Sequence, residues 1–165
     1  MRRWTTETDT CRQTREWFPV VNPKLSAQLL QEKRTNLAKY ILVMTGHNHW
    51  RRHNYLIAYS QYQRRKIAVD EVGNPYCDFC HDPGIRPLVP PLRPLEGVPL
   101  QTSGHIVAEC TKFNTVRQKV FGIPNAMPIE QIKKKDILRF FAEADLKILP
   151  HNYEEIDLRA QQNTQ

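Results

Sequence analysis

No apolar run in this sequence is long enough to cross a bilayer. The longest one free of charge, Tyr40 to Gly46, falls far short of the roughly 20 residues that a spanning helix needs, so no membrane is expected among its partners. The first eighteen residues, MRRWTTETDTCRQTREWF, hold no apolar stretch of about 7–15 residues and no small-residue cleavage site. Secretion is therefore not expected, and the chain is read as intracellular, nuclear or cytoplasmic. Glycine is scarce too: six residues, scattered singly, leave no glycine-rich phosphate loop and no basis for nucleotide binding. There is no internal repeat of useful length. Cysteine occurs four times, too sparsely for a disulfide framework, and in a reducing compartment a Cys-x-x-Cys points to metal or redox chemistry.

What is present is an excess of positive charge. Twenty-four Lys and Arg against seventeen Asp and Glu give a formal charge of +7, which favours an acidic partner such as RNA or DNA. The 165 residues suit one compact domain with tails, and 40% apolar residues allow a modest core. Six of the twelve prolines crowd between Pro83 and Pro99 and mark an insert.

Along the chain, residues 1–24 read as an extended N-terminal arm containing Trp4, Trp17, Phe18, Pro19 and Pro23, with its aromatics free to pack back on the body. A basic helical hairpin is expected over 25–70. Its first helix, from Ser26, carries Leu30, Leu37, Ile41 and Met44 at helical intervals and closes at Gly46. Its second, from about Asn48 to Lys66, places Trp50, Asn54, Ile57 and Gln61 on one stripe and contains no acidic residue. A zinc module follows over 71–149, with a proline-rich insert at 83–101. One helix is expected from Thr102 or Ser103 to Gly122, burying Ile106, Cys110, Phe113 and Val120, and a last one from Pro128 to Ala144. Residues 150–165 form a polar tail. The fold class is mostly α: a small helical domain with a zinc-knuckle-like site and a proline-rich loop.

The chemistry concentrates in four residues. Cys77 and Cys80 form a C-x-x-C pair whose thiolates can reach one ion at about 2.3 Å, and His105 and Cys110 supply an H-x-x-x-x-C half. The whole pattern, C-x2-C-x24-H-x4-C, predicts a single structural Zn2+, closed by four protein ligands and therefore not catalytic. His81 is the reserve ligand. The competing readings are a chance C-x-x-C beside a buried Cys110, and a redox dithiol, which lacks a surrounding βαβ pattern.

A second group surrounds the second helix. His47, Trp50, Arg51, Arg52 and His53 could hold a phosphate backbone and stack a base, with Arg64, Arg65 and Lys66 further along and Lys112, Arg117 and Lys119 as secondary contacts. The plain alternative is a solvated helix face with one tryptophan in the core. A second metal site at the histidines, or a nuclease using them, has no matching carboxylates nearby.

The order of short motifs carries a resemblance. Trp4 and Cys11-Arg12-Gln13-Thr14 are followed by Thr45-Gly46-His47 with Arg52-His53, then C-x-x-C, T-x-x-H-x-x-x-x-C, Arg117 and Phe121-Gly122. Over about residues 4–145 this resembles the segment after the ribonuclease H domain in non-LTR retrotransposon polymerases, where a T-G-H helix precedes a C-C-H-C zinc module. The resemblance implies zinc at Cys77, Cys80, His105 and Cys110 and a role in handling template RNA or target DNA. The long proline insert, and Ser103-Gly104 where an acidic residue often precedes the histidine, depart from that pattern. The chain has no Tyr/Phe-x-Asp-Asp polymerase signature and no acidic run fit for two metals, so no enzyme is expected. A protein-interaction adaptor presenting RPLVPPLRPLEGVPL to a partner protein is the other function considered.

Overall fold

The structure is a computed structural model and describes residues 12–18, 22–68, 72–81 and 95–149. The chain is mostly helical. In order come α1 (Arg12–Trp17), α2 (Pro23–Leu30), α3 (Arg34–Thr45), α4 (Arg51–Gln63), α5 (Ser103–Ala108), α6 (Asn114–Phe121) and α7 (Ile137–Glu143). Short 3-10 turns occupy Thr111–Phe113, Ile129–Gln131 and Lys134–Asp136. Among the described residues the only β pairing is one antiparallel bridge, Tyr76 with Leu100. No helix among them is long and apolar enough to cross a membrane.

Packing divides the chain into two units, 1–46 with 103–148, and 47–102 with 149–165. The boundary after Gly46 differs from the expected divisions at 24/25 and 70/71. Most of the proline insert (82–94), Trp4, Cys11 and the 150–165 tail lie outside the described residues.

The first unit is built around aromatic and branched side chains. Trp17, Val43, Ile106, Val107, Ile137, Phe140 and Phe141 are all buried. Phe140 sits at the centre of an aromatic cluster, parallel to Phe121 at 5.7 Å and edge-on to Phe113 and Phe141 at 6.0 and 5.6 Å between ring centroids. Helix α5 packs on α1, α3 and the Ile129–Gln131 turn, and α7 packs on α3 and α6.

Several expected elements are shorter or differently phased. Residues 12–17 of the supposed extended arm are helical, and Trp17 is in the core. The first helix is two helices. Asn22 caps α2 by accepting the Leu25 N–H at 3.1 Å, with Pro23 at the first helical position, and the chain breaks before α3, where Lys33 is extended (φ −54, ψ 140). Within α3, Tyr40, Val43 and Met44 are buried, so Met44 of the expected stripe does lie in the core, whereas Leu30 and Ile41 are 74% and 52% exposed. Gly46 and Gly122 do end α3 and α6 in the left-handed region, at φ 73 and 77, where a Cβ is strained. The last helix is reduced to α7, preceded by the two 3-10 turns at 129–131 and 134–136.

In the second unit, α4 begins later than expected and is capped by a distant residue. Gln101 accepts the Arg51 N–H through Oε1 at 3.0 Å and the Arg52 N–H through its backbone carbonyl at 3.2 Å. These are two of the four donors that a helix start leaves unsatisfied. Gln101 is itself buried and held by its N–H to the Pro75 carbonyl at 2.9 Å, while Cys77 N–H donates to the Pro99 carbonyl at 2.9 Å. The far end of the insert thus returns beside Pro75–Cys77. Tyr76 reinforces this return, its hydroxyl accepting the Leu95 N–H at 3.0 Å.

Candidate metal centre

Cys77 lies at the Tyr76–Leu100 bridge, and residues 78–80 turn so that Cys80 follows. That turn is held by Asp78, which pairs with Arg51 at 2.7 Å and accepts a bond from the Gln101 side chain.

His105 and Cys110 are set by the way α5 ends. An unbroken helix turns about 100° per residue, so side chains five apart would project about 140° from each other. The expected continuous helix from 103 to 122 would have separated the two ligands. Instead α5 stops at Ala108, Glu109 and Cys110 both donate their N–H to the His105 carbonyl (2.9 and 2.8 Å), and Cys110 adopts φ −58, ψ 117. The chain then re-enters helix in a new direction.

Stopping there exposes the carbonyls of the last turn, and each finds a donor. The His105 carbonyl takes the two N–H groups just named. Arg117 Nη1 donates to the Ile106 and Val107 carbonyls at 3.4 and 3.5 Å, and Met127 N–H donates to Ala108 at 3.0 Å. Arg117 also donates through Nη2 to the Cys110 carbonyl at 2.6 Å and to the Asn114 side chain, and through Nε to the Pro124 carbonyl at 3.4 Å.

The outcome is that the ligand atoms of Cys77, Cys80, His105 and Cys110 all lie within 4.8 Å of one another. Cys77 and Cys110 are buried; Cys80 and His105 are partly so. None of these three cysteines is in a disulfide. Three sulfurs and an imidazole so close together can hold one metal ion. His81 is not in the group.

His105 Nδ1 faces the Glu109 carboxylate at 3.2 Å, one helical turn on. This bond, more than any other cause, holds the Glu109 carboxyl below its ordinary value; burial opposes it and the charges of His105 and Arg117 assist. A carboxylate at Nδ1 accepts its proton and leaves Nε2 to act as the ligand.

The residues expected to touch nucleic acid separate into distinct environments. Trp50 is 4% exposed, edge-on to Phe79 at 6.4 Å, so its expected base-stacking role is corrected to a core role. Arg117 is corrected likewise: it is fully buried and its donors go to carbonyls and Asn114. Arg51 is ion-paired with Asp78, and Lys119 with Glu143. His47 and His53 lie ring to ring at 5.1 Å, with His47 exposed and His53 and Arg52 partly buried. Arg64, Arg65, Lys66 and Lys112 are exposed.

Gln101, Glu109 and Asp78 escaped sequence reasoning. Only Glu109 left a trace, the His105-to-Glu109 spacing of one helical turn. Comparison of this chain with known protein families, with curated proteins and with solved structures found no match.

Proposed function

We propose that this chain is a nucleic-acid-binding module organised by one structural zinc ion, without chemistry of its own. The observation that carries it is the convergence of Cys77, Cys80, His105 and Cys110 to within 4.8 Å. Tetrahedral zinc with sulfurs at about 2.3 Å sets its ligand atoms about 3.8 Å apart, so the four need to close by only about 1 Å. Three cysteines and one histidine are a donor set of structural zinc sites, and all four positions come from the protein, which leaves none open for water or substrate. Bound zinc would cross-link two segments 24 residues apart in sequence, and that supplies folding energy directly.

Contact with RNA or DNA is assigned to the exposed run Arg64, Arg65 and Lys66 at the end of α4, in a stretch from Asn48 to Lys66 that contains no acidic residue. Arg52 and His47, of the same unit, would extend that contact, Lys112 would make a separate secondary one, and Trp50 and Arg117 take no part. The same reading keeps the kinship with the segment after ribonuclease H in non-LTR retrotransposon polymerases as its expected source.

Two measurements test it. Native mass spectrometry should find one zinc per chain, lost together with cooperative folding in His105→Ala; a metal-free, folded wild type overturns the metal reading. Binding to RNA and DNA should weaken as salt rises, and changing Arg64, Arg65 and Lys66 together to Ala should lower the log–log salt slope by about 2 to 3. A slope unchanged by that triple substitution, or binding indifferent to salt, removes the nucleic-acid assignment.

A further inference from the structure

Arg117 raises a question that hydrogen bonding alone does not answer. The carbonyls of Ile106, Val107, Cys110 and Pro124 need donors, and a neutral side chain could supply them. A guanidinium also brings a full positive charge into a place with no solvent exposure. Burying a charge without an opposite one is heavily unfavourable. Yet every group that Arg117 bonds to is uncharged, and none of the ion pairs among the described residues includes it.

The opposite charge lies one step away. Arg117 Nη2 bonds to the Cys110 carbonyl at 2.6 Å, so the guanidinium lies against a residue of the ligand group, with Glu109 as the residue before it. The Glu109 side chain is 64% exposed, so its charge is largely answered by water. Cys110 is fully buried and sits in the four-ligand group. Metal binding deprotonates coordinating thiols, so three thiolates and a neutral imidazole around a divalent cation sum to −1. With Arg117 the sum is zero.

We infer that Arg117 is the resident counter-charge of a trithiolate metal centre: its guanidinium fixes the Cys110 backbone while its charge balances the net negative charge of the ligand set. The inference rests on the metal reading above and specifies it further. It assigns the centre three thiolates and a divalent ion, and it makes Arg117 a positioning residue whose charge is matched to the number of cysteines.

That match can be tested by changing both sides of it. Zinc affinity would be measured by competition with a chromophoric chelator at fixed pH, for Arg117→Gln and Arg117→Lys, each alone and combined with Cys80→His. The Cys80→His set is neutral when loaded, so a buried Arg117 no longer has a charge to balance. Arg117→Gln should lose at least tenfold in affinity with three cysteines, and Arg117→Lys should lose clearly less. In the Cys80→His chain, Arg117→Gln should cost little or should restore affinity that Cys80→His had reduced.

Equal losses in both backgrounds, including failure of Arg117→Gln to fold with zinc in both, would reduce Arg117 to a carbonyl cap and overturn the inference. Folding of Arg117→Gln with zinc only when Cys80→His is present would support it. A wild type that takes up no divalent metal is a different result, since it removes the centre itself.

Discussion

Glu109→Gln removes one charge next to the metal centre while keeping the size of the side chain. Two effects oppose each other. Losing a carboxylate at His105 Nδ1, now 3.2 Å away, weakens the hold on the imidazole orientation and lowers its basicity; losing a negative charge near thiolates relieves repulsion. The Glu109 side chain is 64% exposed, so water screens the repulsion strongly, whereas the hydrogen bond is local. The bond therefore wins. Outer partners of metal ligands are typically worth 10- to 100-fold in affinity, and a partly solvated one belongs at the lower end, about tenfold or about 1.4 kcal/mol. The helix itself would lose only about 0.3–0.5 kcal/mol from a pair of this spacing. Zinc competition reads the first quantity, and nitrogen NMR of the His105 ring reads the tautomer. Unchanged affinity together with an unchanged Nδ1–H signal would show that Glu109 does not orient the ligand.

Phe140→Ala should cost about 3–5 kcal/mol in a urea titration of the zinc-loaded chain, because Phe140 is fully buried against three other rings; a loss under 1 kcal/mol would mean that the cluster is not a core. Gly122→Ala should cost about 1–2 kcal/mol purely from backbone strain, since φ is +77 and a Cβ there meets nothing within 4 Å; a neutral result would contradict the left-handed cap. Tyr40→Phe removes the hydroxyl that donates to the Lys135 carbonyl at 3.1 Å, worth about 1 kcal/mol. Burial, then the charges of Glu32 and Asp136, raise the Tyr40 phenol above its ordinary value. Its contribution to stability is therefore present below about pH 10 and is lost as pH rises through the raised value, which an absorbance titration of tyrosinate would show as one late-ionising phenol.

The ligand group was legible because metal chemistry restricts residue types more than it restricts backbone: Cys77, Cys80, His105 and Cys110 could be picked out without knowing how α5 ends. The helix caps at Gly46 and Gly122 were legible for a similar reason, as glycine tolerates the left-handed region at little cost. Where α5 stops was not legible, since the stop depends on donors supplied by Arg117 and Met127 from later in the chain. The same dependence misled the reading of Trp50 and Arg117. A tryptophan amid basic residues looks like a stacking platform until Phe79 covers it, and an arginine looks like a surface charge until carbonyls surround it. Of the stripe Leu30, Leu37, Ile41 and Met44 only Met44 is buried: Leu30 lies before a break that nothing in Gln31-Glu32-Lys33 announces, and within α3 the inward face is centred on Tyr40 and Val43, which leaves Ile41 outside.

The return of residues 95–101 beside Pro75–Cys77 separates two lengths that run together in the sequence. The Tyr76–Leu100 bridge, with the Leu95 N–H on the Tyr76 hydroxyl, fixes the two ends of the intervening chain before His105 and Cys110 are reached in sequence. For a loop so anchored, doubling its length costs only about 0.6 kcal/mol in closure entropy. Spacers of very different length between the second cysteine and the histidine are thus compatible with one and the same centre, and a rigid spacing rule would overlook such chains.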